Sequence, residues 1–173
     1  GLPKGAPRGK VSPFATAQLV DRIPFPRQGT MVIASPIFHS TGMATYLVGV
    51  ALGNTVVTMR RFNPENTLAL IAKHRAEMLV AVPTMLHRLV ELPAEVRAKY
   101  DTSSLKSITL AGSALTPELA IRSMDTFGDV VYNLYGSTEV AVATVAQPAE
   151  LRRAPGNAGK APITCEVVLF DEN

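Results

Sequence analysis

Five consecutive residues, Tyr135, Gly136, Ser137, Thr138 and Glu139, bring together an aromatic ring, a flexible backbone position, two hydroxyls and a carboxylate. They directly follow Val130-Val131-Tyr132-Asn133-Leu134, a run that reads as a buried strand. Open α/β sheets hold their ligands at the C-terminal ends of such strands. A ring for a base, hydroxyls for phosphate and a carboxylate for Mg²⁺ would together suit a metal-bound nucleotide. The plainer reading is a surface turn whose Ser or Thr caps a helix. A second candidate is Lys4, in Gly1-Leu2-Pro3-Lys4-Gly5. It lacks the full phosphate-loop pattern of Gly, four residues, then Gly-Lys-Ser/Thr, and alone reads as a basic turn.

Three more segments have suggestive compositions. Pro36-Ile37-Phe38-His39-Ser40-Thr41-Gly42 lies between a strand and a helix, and His39 there either caps and packs or meets a ligand. Leu110-Ala111-Gly112-Ser113-Ala114-Leu115 is a strand end followed by small residues, which suits a tight strand-to-helix turn. Gly156-Asn157-Ala158-Gly159-Lys160 carries no obvious catalytic role.

The elements that must position these residues alternate. Strands are predicted over 30–35, 55–59, 78–82, 105–110, 130–134 and 141–145. Between them lie helices over 42–52, from Asn63 to His74, from Pro83, and from Thr116 to Phe127, with short helices near 15–21 and 94–99. Asn63-Pro64-Glu65 and Thr116-Pro117-Glu118 repeat one start signal: a capping side chain, Pro at the first helical position and an acid in the first turn. The alternation argues for an α/β fold, a mainly parallel sheet with helices on both faces. After Gln147-Pro148 the texture changes, and a lone strand over 165–170 reads as the first strand of a following β-subdomain. Two units are expected: an α/β part over 1–150 and a truncated β part over 151–173. Residues from about Gly156 onward should pack poorly on the α/β part or pair with a neighbouring chain, since an unpaired strand edge invites self-association.

Composition bounds the function. Of 173 residues, 47% are hydrophobic and 18% charged, so the chain is globular and rather apolar. A net charge of +3 and the scattered pairs Arg60-Arg61 and Arg152-Arg153 do not make a nucleic-acid surface. The single cysteine, Cys165, excludes an internal disulfide and fits a reducing, cytoplasmic setting. It reads as a half-buried strand thiol rather than a nucleophile. No signal peptide is visible, and the apolar run over 43–52 is too short to span a bilayer. The chain has no initiator Met and ends mid-turn, so it reads as a piece of a longer protein.

In order, the five segments resemble motifs of the adenylate-forming enzymes. Within that group the resemblance is nearest to fatty acyl-CoA synthetases, through Phe38-His39-Ser40-Thr41-Gly42 and Val82-Pro83-Thr84-Met85. The resemblance implies ATP, Mg²⁺ and CoA as participants and a carboxylic acid as substrate. It implies that Lys4 ends a phosphate loop, Tyr135 stacks on adenine beside Gly136, Thr138 bonds the α-phosphate and Glu139 binds Mg²⁺. Gly112, Ser113 and Ala114 would lie beside the adenine and the acyl group, where small side chains allow close approach. His39 would line the carboxylate end of the acyl pocket, with Gly42 leaving room near a helix start that favours a carboxylate. The family's ribose-binding Asp and C-terminal catalytic Lys fall outside this sequence, so the isolated chain is expected to be catalytically silent. The alternatives are a non-catalytic nucleotide- or acyl-binding module and a structural fragment without ligand.

Overall fold

The computed structural model describes residues 19–137, 141–163 and 165–168. The chain order is β1 (Thr30–Ile33), α1 (Ser40–Ala51), β2 (Thr55–Thr58), α2 (Pro64–His74), β3 (Met78–Ala81) and α3 (Pro83–Val90). It continues with α4 (Ala94–Arg97), β4 (Ser107–Leu110), α5 (Pro117–Phe127), β5 (Val131–Ser137), β6 (Ala141–Ala146) and α6 (Pro148–Arg153). One helical turn over residues 19–22 precedes them. The strands form one sheet in the order β2-β1-β3-β4-β5-β6. All neighbouring pairs are parallel except β5 and β6, which form an antiparallel hairpin.

Both faces of the sheet are covered, because successive strand side chains point to opposite sides. Val32, Leu79 and Ile108 share one core with Leu68 and Ile71 of α2, Leu86 and Leu89 of α3, Met124 of α5 and Leu151 of α6. Met31, Ile33, Met78 and Val80 share the other with Val48 of α1, Leu19 and Ile23. β3 is buried at every position, so its sequence runs apolar without alternation. The two predicted helix starts are real caps. Asn63 accepts the Asn66 N–H at 2.8 Å and Thr116 accepts the Leu119 N–H at 3.3 Å. At the far ends, Arg75 and Gly128 reverse the backbone at φ 47° and 89°.

Four details depart from the sequence expectations. β5 does not stop at Leu134 but carries Tyr135, Gly136 and Ser137 into its hairpin. Helix α6 was unforeseen; Glu150 accepts the Gln147 N–H at its start at 2.9 Å. Residues 165–168 form no strand, and Val167 and Val168 are exposed. The stretch just before them is firmly seated, contrary to the loose packing expected from Gly156 onward. Val145 and Lys160 exchange backbone hydrogen bonds at 2.9 and 3.1 Å, and the Thr144 hydroxyl donates to the Ala158 carbonyl at 2.6 Å.

A clasp closes the far side of the hairpin. The Arg22 guanidinium donates to the Val145 carbonyl at 3.2 Å and to both Glu150 oxygens at 2.9 and 3.0 Å. Gln147 donates back to the Arg22 carbonyl at 3.0 Å.

Candidate functional site

Because β4 and β5 are parallel neighbours, their C-terminal ends emerge on the same edge of the sheet. Gly112, Ser113 and Ala114 there face Asn133, Tyr135 and Gly136 across a cleft of about 340 Å³. Gly156, Asn157 and Ala158 also border it. The turn out of β4 needs φ 94° at Gly112, which glycine adopts without strain. A side chain at Gly136 would meet the Ala141 carbonyl oxygen at 2.0 Å, so glycine is what lets the hairpin close. The pairing slips between Tyr135 and Gly136, and such bulges re-aim side chains. Tyr135 keeps 62% of its surface exposed and offers an open ring face.

Asn133 contributes a group that the sequence reading passed over. Its Oδ1 is buried and has no hydrogen-bond partner among the described residues. Leaving such an acceptor unpaired costs about 1–3 kcal/mol, which a donor on a bound ligand would offset. The signal was an Asn, depleted in strands, inside an otherwise β-forming run. Tyr132, one position earlier, belongs to the opposite face of the sheet, where burial pushes its phenol up.

His39 and Gly42 do not border this cleft. His39 occupies the N-cap of α1 without a side-chain capping bond, is exposed, and stacks its ring 4.6 Å from that of Phe38. Gly42 is buried, and a Cβ there would fall 2.3 Å from the Pro36 carbonyl oxygen. The room expected beside Gly42 is therefore filled by the chain's own backbone. An apolar cavity of about 150 Å³ opens nearby, bordered by Ser40, Thr41, Ala44 and Thr45 of α1 and by Leu19, Leu134, Ser137 and Val142. From sequence Ser137 reads as a hydroxyl for phosphate, and Ser40 and Thr41 belong to the His39 segment; the other residues read there as ordinary core. Lys4, Thr138 and Glu139 lie outside the described residues.

Among the described residues no group of three or more His, Cys, Asp or Glu side chains could hold a metal ion. No described helix is long and apolar enough to cross a membrane.

An open aromatic ring, a small-residue turn and an unpaired buried acceptor thus lie together in one cleft at the parallel sheet's C-terminal edge. The family model for AMP-binding enzymes matches residues 1–173, and the chain belongs to that adenylate-forming family. Indoleacetate–CoA ligase of Aromatoleum aromaticum is 30% identical over 177 residues, covering 100% of this chain and 34% of that protein. 2-Succinylbenzoate–CoA ligase of Bacillus pumilus is 31% identical over 142 residues, covering 81% of this chain and 28% of that one. The o-succinylbenzoate coenzyme A synthetase of Bacillus subtilis, solved in complex with AMP, aligns with a TM-score of 0.78 at 27% identity. That alignment covers 92% of this chain and 32% of the other. An amide bond synthetase from Marinactinospora thermotolerans shares the fold at a TM-score of 0.84 and 24% identity, over 92% of this chain and 32% of that one. The chain thus spans about a third of the length of the curated relatives it matches, 34% of one and 28% of another.

Proposed function

We propose that the protein carrying this chain is an acid–thiol ligase that joins a carboxylic acid to CoA through an acyl-adenylate. The observation that carries this is the cleft itself: Gly112–Ala114, the exposed Tyr135 ring and the unpaired Asn133 Oδ1 converge in one place. A purine stacks on Tyr135 against the small turn, for about 1–3 kcal/mol, and its exocyclic amine donates to Asn133. Thr138 takes the α-phosphate, and Lys4 neutralises charge on the phosphates. Glu139, together with phosphate oxygens and water, is the residue that would hold Mg²⁺. When bound, that ion supplies further neutralisation of phosphate charge. The acid's carboxylate attacks the α-phosphorus of ATP and pyrophosphate leaves. The thiol then attacks the acyl carbonyl and AMP leaves. Such chemistry needs positioning and charge neutralisation more than a general base.

The acid is held near the start of α1, between the His39 loop and the apolar cavity behind it. A fatty acyl chain is the reading carried by the Phe38–Gly42 and Val82–Met85 segments. A compact, ring-bearing acid is favoured instead by the cavity's volume of about 150 Å³ and by the names of the relatives. The division into an α/β part to residue 150 and the opening of a β-subdomain after it, and a cytoplasmic location, belong to the same proposal. The test is acid-dependent ATP–pyrophosphate exchange by the full-length protein, across panels of fatty and aryl acids. Exchange with at least one panel is expected, and Glu139→Gln should lower it by at least about a hundredfold. No exchange with any acid would refute the ligase reading. Full exchange by Glu139→Gln would remove the metal role from that residue.

A further inference from the structure

One wall of the Tyr135 cleft is built by residues that have no role from sequence, Gly156, Asn157 and Ala158. They leave the end of α6 and run on to Lys160, which pairs with Val145. Two side chains fix them there. Asn157 commits its whole amide to the task. Its Nδ2 donates to the Glu150 carbonyl at 2.9 Å and to the Ala154 carbonyl at 2.5 Å, both at the end of α6. Its Oδ1 accepts the Gly159 N–H at 2.7 Å. The segment is thus pinned backward to the helix and forward to its own continuation.

Thr144 holds the same segment from β6. It pairs directly with Tyr135 across the hairpin, and residues paired in this way carry their side chains on one face. Its hydroxyl donates to the Ala158 carbonyl at 2.6 Å. The wall is therefore tied beside the aromatic ring by the ring's own cross-strand neighbour. Thr144 is buried while Ala158 is exposed, so the anchor is covered and the surface it steadies is open. The residue types matter. Aspartate at 157 would keep the acceptor and lose both donors, and valine at 144 would keep the shape and lose the hydroxyl. Gly112, Ser113 and Ala114 line the same cleft from the turn that leaves β4. The separation of these two small-residue walls is set, on one side, by Asn157 and Thr144.

We propose that Asn157 and Thr144 are positioning residues of the nucleotide cleft: they hold the Gly156–Ala158 wall at the separation from Gly112–Ala114 that a purine fills. Both act through the backbone they anchor, and neither takes part in the reaction. A wall that drifts must be ordered anew each time a nucleotide binds, and that ordering is subtracted from affinity. The base keeps its place while the α-phosphorus is attacked. The loss is therefore shared by the ground and transition states, which raises the KM for ATP and leaves kcat alone. This rests on the ligase reading above and deepens it by naming the residues that set the fit of the base.

The test uses the full-length protein and two variants, Asn157→Ala and Thr144→Val, in acid-dependent ATP–pyrophosphate exchange. Each should raise the KM for ATP about three- to thirtyfold and keep kcat within about twofold of the original. The KM values for the acid and for pyrophosphate should stay where they are. Calorimetry with AMP should show binding weakened by a similar factor. Thr144→Val preserves the side chain's shape and serves as the independent arm should Asn157→Ala fail to fold. An ATP KM within about twofold of the original in Thr144→Val, or in a folded Asn157→Ala, overturns the proposal. So does a fall in kcat with the KM values for ATP and the acid rising together, the mark of a site loosened as a whole. Absence of exchange in the unaltered protein sinks the ligase reading, whereas normal exchange with an unmoved ATP KM in the variants sinks the positioning roles alone.

Discussion

β3 and β5 lie in one sheet, separated only by β4, yet they have opposite characters. Met78, Leu79, Val80 and Ala81 are each at most 1% exposed. β5 begins in the same way, with Val131 at 0%, and is uncovered progressively until Tyr135 reaches 62%. The difference comes from the neighbours. β3 is flanked by β1 and β4 along its length and has a core on each face. On β4's side, pairing with β5 stops at Leu110 opposite Asn133, so β5 overhangs its parallel neighbour by the residues that follow. Over that overhang only the bulged pairing with β6 remains. A strand that outruns its neighbour turns from core into an exposed edge without any change in secondary structure.

The comparison can be broken most severely on the buried side. Leu79 of β3 is 1% exposed, and Leu79→Ala should lower stability by about 2–5 kcal/mol. Urea unfolding followed by circular dichroism measures this, and a loss below about 1 kcal/mol would show that β3 is not core in the sense drawn. An intermediate effect belongs to the Arg22–Glu150 clasp, where the side chains are 16% and 13% exposed. Burial pushes the Glu150 carboxyl up, but the Gln147 N–H and the Arg22 guanidinium outweigh it and hold it below its ordinary 4.5. A carboxyl depressed in the folded state stabilises fully above its unfolded value, and that stabilisation is lost as pH falls through the folded value. Glu150→Gln should therefore cost about 1.5–3 kcal/mol at neutral pH. The gap to the unaltered chain should narrow as pH drops below 4.5. A gap that stays constant on acidification would deny the ion pair its role. The smallest stability effect falls on the overhang itself. Tyr135→Ala should change stability by no more than about 0.5 kcal/mol while weakening nucleotide binding by about 1–3 kcal/mol. A large stability loss there would erase the contrast between the two strands.

Most of the architecture was legible because its signals are local. Asn63-Pro64-Glu65 and Thr116-Pro117-Glu118 name their helices through capping chemistry, and Met78–Ala81 reads as a doubly covered strand through its unbroken apolar run. What escaped depends on partners rather than on composition. Tyr135, Gly136 and Ser137 look like a turn in isolation and become strand only because β6 returns to pair with them. The short connection between the two strands could nonetheless have been read as a hairpin, since a parallel crossover needs about a dozen residues or more. Gln147-Pro148-Ala149-Glu150 carries a Pro and an acid at a helix start much like the two recognised ones, but the flanking change of texture masked it. The turns Gly112–Ala114 and Tyr135–Gly136, which border the proposed nucleotide cleft, were identifiable by residue type. Asn133 was not, and the segment around Asn157 was noted without a place in the cleft, because unpaired atoms and shared walls exist only in three dimensions.

The Arg22 clasp also sets a sequence of events in time. It joins residues 123 positions apart, and closing a loop of that size costs roughly 4 kcal/mol of chain entropy. Until the β5–β6 hairpin and α6 have assembled, Arg22 has neither the Val145 carbonyl nor Glu150 to meet. The contact is therefore late, and late contacts govern how quickly a structure comes apart rather than how quickly it forms. Leu19 and Ile23, on either side of Arg22, belong to the core on that face of the sheet, so the clasp ties this core to the hairpin. Through Leu19 it also holds one edge of the apolar cavity beside α1.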